Sequence, residues 1–207
     1  MHKGTFITLE GGEGAGKTTL IQSLQKKLEE EGHAVVVTRE PGGSSLGKEI
    51  RSWLLEKGRD LDRWTELLLF LADRSQHLKE VIRPALDAGK VVICDRFNDS
   101  TIAYQGFGRG LDIPKVQEIC ELIVGETVPD LTLYLDIPPE LGLQRALNQR
   151  GGKDRLESEQ LAFHINLRKG FHWLAEQEPH RIQTIDATKT KDQVFDEAWG
   201  YVCSRLS

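Results

Sequence analysis

A glycine-rich stretch near the start of the chain, residues 11–18, reads GGEGAGKT and fits the phosphate-loop pattern G-x-x-x-x-G-K-[ST]. It follows an apolar run over residues 6–9 that is typical of a buried strand. It precedes a helical pattern with an apolar face formed by Leu20, Ile21, Leu24 and Leu28. The alternative, a glycine-rich turn of another α/β protein, is disfavoured by these flanking elements. The stretch therefore predicts a P-loop fold that binds a nucleoside triphosphate.

The chemistry of this loop assigns roles to its residues. Glycines let the backbone turn tightly and point successive N–H groups at phosphate oxygens, and the helix start adds the positive end of its dipole. Lys17 is expected to reach the outer phosphates, and the Thr18 hydroxyl to hold Mg²⁺. The predicted triphosphate-binding residues are Gly11, Gly12, Glu13, Gly14, Ala15, Gly16, Lys17, Thr18 and Thr19.

Composition and charge limit the class of protein to which the chain can belong and the partners that it can bind. With 207 residues, 39% of them hydrophobic, the chain suits one globular α/β domain over residues 1–207, and no apolar run approaches the ~20 residues of a membrane span. A net charge of −5 argues against a nucleic acid polymer as partner, since phosphate backbones attract basic surfaces. The histidines form no metal-binding array and the three cysteines no C-x-x-C pair. The first strand follows the start at once, which leaves no room for a signal peptide. These features favour the cytoplasm.

Strand-like and helix-like segments alternate along the whole chain. Near-continuous apolar strands in such an alternation predict a five-stranded parallel sheet with helices on both faces, a three-layer α/β arrangement. The predicted strands are 6–9, 34–38, 91–94, 131–135 and 182–185. The predicted helices after the first are 45–57, 62–88 with a kink at Pro84, 113–124, 158–177 and 191–206.

Charged residues follow several of these strands, at the edge where such folds bind ligands. Asp95 directly follows the third strand, which is where P-loop proteins place a carboxylate that helps to hold Mg²⁺. Asp136, after the fourth strand, is a rival by the same argument. The adjacent Arg96 favours Asp95, because an acid for the metal beside a base for a phosphate suits a site where two phosphorylated molecules meet. The alternative for Asp95 is a capping role in the next turn.

Two further groups are candidates for ligand contacts. Arg39, at the end of the second strand, could grip a phosphate together with Arg96, or could be a solvated loop arginine. Phe70 and Arg74 lie one helical turn apart, so a ring that stacks on a base and a guanidinium that donates to it would share a face. Ordinary burial of a phenylalanine in a leucine-rich helix explains this pair equally well.

A basic segment around two glycines, at about residues 145–157, is a candidate lid. It contains Arg145, Arg150, Lys153 and Arg155. The variable positions of the phosphate loop contain no basic residue, so the lid could supply the positive charge that phosphoryl transfer requires. The alternative is a solvated charged loop.

The chain resembles the thymidylate (dTMP) kinase family, which belongs to the nucleoside monophosphate kinase group of P-loop proteins. The resemblance runs from end to end, and its most selective parts are TREPGG at residues 38–43 and DSTIAYQG at residues 99–106. The other matching stretches are residues 9–19, 70–74, 95–97, 129–132, 154–157 and 185–187. One departure is Phe97, at a position that often carries Tyr or His, and it puts in doubt any role that needs a polar group there.

The resemblance implies roles at matching positions. Phe70 would stack on thymine and Arg74 would read its carbonyl edge, while Ser100, Thr101 and Gln105 would line the base pocket. Arg39 and Arg96 would bind the dTMP phosphate. Glu13 would approach the 3′-hydroxyl, and Tyr104 would crowd the 2′ position. Lys17, Thr18 and Asp95 would serve ATP and Mg²⁺. The loop residues Glu13, Gly14 and Ala15 place the chain among forms with catalytic arginines in the lid, here Arg150 and Arg155, beside Lys17 and Arg96 in the cleft.

The implied reaction is transfer of the γ-phosphoryl group of ATP to dTMP. A kinase for another nucleoside monophosphate, or a P-loop ATPase or switch protein, is the alternative, although no Asn-Lys-x-Asp stretch for reading guanine is present. Family members are commonly homodimers. The leucine-rich 62–88 helix could form the contact between subunits or simply pack in the core.

Overall fold

The computed structural model describes residues 4–56, 58–150, 155–156 and 159–206, with only the helical backbone at residues 149 and 150. Five parallel strands form one sheet in the order β2-β3-β1-β4-β5. They are β1 (Thr5–Glu10), β2 (Val35–Arg39), β3 (Val91–Asp95), β4 (Leu131–Asp136) and β5 (Ile182–Asp186). The predicted five-stranded parallel sheet is confirmed, and each strand extends one residue further at its carboxyl end than the apolar pattern indicates.

Helices fill the connections between the strands. They are α1 (Lys17–Glu30), α2 (Ser45–Leu55), α3 (Arg63–His77), α4 (Arg83–Asp87), α5 (Asn98–Thr101), α6 (Ile113–Val124), α7 (Pro139–Arg150), α8 (Leu161–Gln177) and α9 (Lys191–Leu206), with π-helical segments at Leu78–Ile82 and Ile102–Gly108. In the part of the chain that the structure describes, no helix combines the length and apolar character needed to cross a membrane.

The strands are buried on both faces, which explains their continuous apolar sequences. Because successive side chains of a strand point to opposite faces, Ile7 and Leu9 pack beneath α1 and α9, whereas Phe6 packs against the segment around Leu78 and Ile82. A further cluster joins α3, α6 and α8 on that second face. The result is the expected three-layer α/β arrangement.

The predicted 62–88 helix differs in detail. It begins after Asp62, whose side chain accepts hydrogen bonds from the first-turn N–H groups of Trp64 and Thr65. The helical path then passes through the π-helical segment into α4. Pro84 lies in the first turn of α4, where a missing N–H group is tolerated. The continuous path is therefore confirmed, but a change in helical register precedes the proline.

Two helical regions have no counterpart in the sequence prediction, namely residues 98–108 and α7. The first is buried around its circumference and contains polar and glycine residues, so it lacks the one-sided apolar stripe that reveals a surface helix. The second begins at Pro139 and has a weakly one-sided pattern. Both follow strand ends, and both help to enclose the cleft described next.

Candidate active site

A cleft of about 200 Å³ lies at the carboxyl edge of the sheet, where the sequence predicts the ligand site. The phosphate loop forms one wall, and α3, α5 and the following π-helical segment form another. Of the predicted ligand-binding residues, the cleft is lined by Glu13, Gly14, Ala15, Gly16, Lys17, Thr18, Thr19, Arg39, Phe70, Arg74, Asp95, Arg96, Ser100, Thr101, Tyr104 and Gln105. Residues far apart in sequence, such as Glu13 and Tyr104 at a separation of 91 positions, thus meet in one place.

The phosphate loop closes tightly on its own backbone. Lys17 Nζ donates to the carbonyl oxygens of Gly11 (3.0 Å) and Gly12 (3.1 Å), and burial lowers the pKa of its ammonium group. Gly16, the residue before α1, has a φ of 94° that favours glycine. A Cβ on Gly14 would lie 2.0 Å from the carbonyl oxygen of Gly142 in α7. The glycine spacing therefore serves both the turn and the contact with α7.

Arg96 joins the end of β3 to the phosphate loop. Its guanidinium donates to the carbonyl oxygen of Gly11 (2.9 Å) and to Glu13 Oε1 (2.7 Å), and lies 5.0 Å from the ring centroid of Tyr104. The Tyr104 hydroxyl donates to the same Glu13 oxygen at 3.0 Å. Burial opposes the charge, but the surrounding Tyr104 and Glu13 raise the pKa of Arg96, so the cation is retained. Its backbone φ of 69° lies in the left-handed region, which is uncommon for residues other than glycine.

Asp95 and Asp136, the rival metal carboxylates, have different surroundings. Asp95 lines the cleft, and its Oδ1 atom is buried without a hydrogen-bond partner among the described residues. Asp136 instead accepts two hydrogen bonds from Arg168 (2.7 and 2.8 Å) and one from the Tyr134 hydroxyl (2.8 Å). Partial burial opposes the charge of this carboxyl group, but the hydrogen bonds outweigh it and lower the pKa. An unpartnered buried oxygen that faces a phosphate site fits a cation ligand, whereas the oxygens of Asp136 are engaged.

Arg74 is fully buried and held from three sides. Its Nε donates to Glu40 Oε2 (2.8 Å), Nη2 to the carbonyl oxygen of Phe97 (2.8 Å) and Nη1 to Asn98 Oδ1 (3.1 Å). Phe70, one turn earlier, lines the cleft beside it. Phe70 also packs against the hydrophobic core, as expected of a phenylalanine in a leucine-rich helix.

The departure at Phe97 is explained by burial. Its ring is fully buried, lies edge-on to Phe6 at a centroid distance of 5.0 Å, and supports the Arg74 guanidinium at 4.9 Å. The position thus contributes core packing, and both its ring and its backbone carbonyl contact Arg74.

Several carboxylates that support the site are absent from the sequence-based prediction. Glu10, at the end of β1, accepts hydrogen bonds from the Phe97 N–H (2.7 Å) and the Ser100 hydroxyl (2.5 Å), and burial together with the charge of Asp99 raises its pKa to about 7. Glu40 and Glu66 are likewise buried and hold site residues. The sequence feature that could have identified Glu10 is its position as an acidic residue at the end of a largely apolar strand.

The predicted lid lies partly outside the described residues, which include neither the Arg150 side chain nor residues 151–154. Arg155 Nε donates to the carbonyl oxygen of Leu54 (2.7 Å), and Nη2 to Glu66 Oε2 (2.5 Å). The guanidinium is therefore tied to α2 and α3, while the adjacent Leu156 lines the cleft. Arg145 donates to the carbonyl oxygen of Ala187 at 2.8 Å.

Comparison with known proteins adds independent information. Residues 9–198 match the sequence family described as thymidylate kinase. The chain is 50% identical to a thymidylate kinase of Protochlamydia amoebophila (95% of this chain, 91% of the relative) and 48% identical to one of Deinococcus radiodurans (99% of each). The crystal structure of thymidylate kinase from Ehrlichia chaffeensis superposes with a TM-score of 0.78 at 35% identity, over 96% of this chain and 98% of that one.

Proposed function

Because the chain belongs to the thymidylate kinase family, and is an ATP-dependent enzyme that phosphorylates dTMP to dTDP, we propose that the two nucleotides meet in the cleft at the carboxyl edge of the sheet. The observation that carries this assignment is the convergence of the phosphate loop, Arg39, Asp95 and Arg96 on one cavity. A triphosphate site and cations for a second phosphate are thus adjacent, as a transfer between two nucleotides requires.

ATP occupies the phosphate loop in this proposal. Residues 11–19 surround its phosphates through backbone N–H groups, and Lys17 contacts the outer phosphates after exchanging its present bonds to the loop carbonyls. Such an exchange is feasible because the ammonium already lies at the floor of the cleft. The positive N-terminal end of α1 adds to the attraction.

Thr18 and Asp95 are the proposed protein ligands of Mg²⁺. Their hydroxyl and carboxylate oxygens are the hard donors that Mg²⁺ prefers, and the ion normally keeps several waters and takes phosphate oxygens besides. Few protein ligands are therefore needed, and the unpartnered Asp95 oxygen fits this role. When bound, Mg²⁺ neutralises negative charge on the phosphates.

dTMP occupies the other part of the cleft. Arg39 and Arg96 bind its phosphate, and Phe70 stacks on the thymine ring. Arg74, Ser100, Thr101 and Gln105 surround the base. Glu13 approaches the 3′-hydroxyl, and Tyr104, whose hydroxyl is held on Glu13, crowds the 2′ position and so favours deoxyribose.

The chemistry needs alignment and charge more than proton transfer, because the attacking group is already an anionic phosphate oxygen. Lys17 and Arg96 reduce the repulsion between the two nucleotides and stabilise charge on the transferring group. Arg150 and Arg155 add positive charge when the segment 145–157 closes over the cleft and excludes water. Closure requires Arg155 to leave Glu66 and Leu54.

Three broader features belong to the same proposal. Residues 1–207 form a single domain, in which 145–157 is a lid. Two copies associate through the region of α3, where the Leu68 side chain is 58% exposed. The reaction takes place in the cytoplasm, where its nucleotide substrates occur and where the thiols of Cys94, Cys120 and Cys203 are kept reduced.

A coupled ADP-release assay with Mg²⁺ and ATP tests the acceptor, with dTMP, dUMP, dCMP, dGMP, AMP and UMP offered separately. We expect strong turnover with dTMP, weaker turnover with dUMP and negligible turnover with the others. A preference for another monophosphate would overturn the roles of Phe70, Arg74 and Gln105. A rate of ADP release that does not depend on which monophosphate is added would indicate an ATPase or switch protein instead.

A further inference from the structure

Glu66, whose place in the proposed reaction is so far limited to its contact with Arg155, lies buried behind the wall of the cleft that contains Gln105. Its Oε1 atom accepts from Gln105 Nε2 (2.8 Å) and from Arg109 Nε (3.1 Å). Its Oε2 atom accepts from Arg109 Nη2 (3.1 Å) and from Arg155 Nη2 (2.5 Å). The side chain is 1% exposed, so these partners replace water completely.

The surroundings keep this carboxyl group ionised. Burial opposes the charge, but the hydrogen bonds and charge of Arg109 hold the pKa of Glu66 below its usual value. Glu66 also lies in the first turn of α3, where the helix dipole favours an anion. An ionised carboxylate can only accept hydrogen bonds, so every group that contacts it must donate.

This restriction determines how the Gln105 amide is turned. The NH₂ group must face Glu66 and donates one of its two N–H groups to it, so the carbonyl oxygen, the acceptor of the amide, is turned away from the carboxylate. That oxygen has no hydrogen-bond partner among the described residues, and Gln105 lines the cleft. The cleft therefore receives a hydrogen-bond acceptor at this point.

We propose that Glu66 is a positioning residue that fixes the Gln105 amide with its carbonyl oxygen toward the cleft, and thereby selects pyrimidines that carry N3–H. The inference rests on the proposed function, in which the base lies beside Gln105. Thymine and uracil present N3–H as a donor to this oxygen, with a carbonyl next to it for the donors of Arg74. Cytosine presents an N3 acceptor and an exocyclic amine, so both contacts would be mismatched.

The mismatch has an energetic consequence. A site built to hydrogen-bond one pattern discriminates strongly against the reversed pattern, because its buried polar groups are then left unpaired. Without Glu66, a glutamine amide could turn by half a rotation and offer NH₂ to cytosine instead. The carboxylate prevents this turn, because a turned Gln105 would place two acceptor oxygens in contact.

The test compares dTMP and dCMP as acceptors for the wild-type enzyme and Glu66→Gln, whose side chain can donate or accept. We expect the ratio of kcat/KM for dTMP to that for dCMP to fall at least about tenfold. Glu66→Asp retains a group that only accepts, so it is expected to lower kcat/KM for dTMP while the ratio stays within about twofold of wild type. A folded Glu66→Gln enzyme with an unchanged ratio overturns the proposal.

Glu159→Gln is the matched control. Glu159 accepts from the same Arg109 at 2.6 Å and contacts Gln105 in no hydrogen bond of the described residues. Both variants thus remove a carboxylate that contacts Arg109, but only Glu66→Gln removes the group that orients Gln105. The ratio of kcat/KM for dTMP to that for dCMP in Glu159→Gln should therefore remain at the wild-type value. A ratio that falls as much in Glu159→Gln as in Glu66→Gln would contradict a specific role for Glu66.

A measurement on the wild-type protein decides the question if Glu66→Gln does not fold. The side-chain amide resonances of Gln105 in ¹⁵N-labelled protein, assigned by their loss in Gln105→Met, are followed as dTMP is added. We expect their hydrogen exchange to stay slow, because the NH₂ group remains on Glu66. Loss of that protection on binding would overturn the proposal. Failure of the wild-type enzyme to prefer dTMP would instead overturn the proposed function.

Discussion

Arg39 and Asp95 are register partners at the carboxyl ends of the adjacent strands β2 and β3, and both line the cleft. The Oδ1 atom of Asp95 is buried without a hydrogen-bond partner among the described residues, and the side chain of the exposed Arg39 makes no hydrogen bond or ion pair with them. The proposed metal ligand and the proposed phosphate-binding cation therefore stand side by side at the end of the sheet.

The Arg39→Ala substitution is expected to raise KM for dTMP about 10- to 100-fold, because a charge-assisted hydrogen bond contributes about 1.5–3 kcal/mol. KM for ATP should change little, since the phosphate loop binds ATP separately. Steady-state kinetics with each substrate varied in turn provides the measurement. The exposed Arg63→Ala serves as control. An equal rise in both KM values would argue against a contact specific to dTMP.

Asp95→Asn is expected to raise the Mg²⁺ concentration for half-maximal activity about tenfold or more, because an amide is a poorer ligand for a hard cation than a carboxylate. Asp136→Asn should instead lower thermal stability, since it weakens the bidentate contact with Arg168, and leave the Mg²⁺ dependence unchanged. Activity over a Mg²⁺ series and a melting curve for each variant distinguish the two residues. The reverse pattern would make Asp136 the metal ligand.

Arg155→Ala is expected to lower kcat on the order of 100-fold while KM for dTMP rises less, because the lost charge acts mainly on the transition state. Arg109→Ala removes the other cation that contacts Glu66 and controls for the loss of that ion pair. It should retain most of kcat. A loss of dTMP affinity with unchanged kcat would contradict a catalytic role for Arg155.

Asp73 predicts a pH dependence of stability. Burial, and then the charge of nearby Glu40, raise its pKa from 3.8 to about 6. Between these values the folded state binds a proton that the unfolded state does not, so stability falls as pH rises through this window. The unfolding free energy of wild type minus that of Asp73→Asn should therefore fall by on the order of 2 kcal/mol from about pH 4 to pH 6.

Denaturant titrations of both proteins at a series of pH values check this expectation. Above about pH 7 the difference between them should be nearly constant, because Asp73 is then ionised in both the folded and the unfolded state. A difference that rises with pH would show that the buried carboxyl is stabilised in its charged form, contrary to its surroundings.

Leu68→Glu is expected to convert a homodimer into monomers, because a charge placed on an apolar contact surface disrupts association. Light scattering coupled to size-exclusion chromatography measures the mass. Leu147→Glu alters an exposed leucine of α7 (47% exposed) and should leave the mass unchanged. A wild-type mass of one chain at high concentration would contradict the proposed dimer.

Local patterns were sufficient for the strands and for the first residues of the site. The apolar run before Asp95 predicts both a buried strand and the place where it ends, and the glycine spacing around Lys17 predicts the phosphate loop. The alternation of strands and helices predicts that these ends share one edge. The helical region at residues 98–108 was not predicted, because a helix that is buried on all sides has no one-sided apolar pattern.

The supporting carboxylates could not be recognised in the same way. Glu40 meets Arg74 across 34 positions, Glu66 meets Gln105 across 39, and Glu10 meets Ser100 across 90. No spacing in the sequence relates such pairs, because the packing of separate elements brings them together. The choice between Asp95 and Asp136 was open for the same reason, since the partners of Asp136 lie on β4 and α8.

The sequence by itself thus determined the parallel sheet, the phosphate loop and the edge at which ligands bind, because these depend on residues that are neighbours along the chain. The tertiary structure alone decided the strand order, the buried Asp95 oxygen that has no partner among the described residues, and the buried carboxylates that hold Arg74, Gln105 and Ser100. Those properties arise from contacts between distant segments, where burial removes water and makes each polar group depend on the partners that packing supplies.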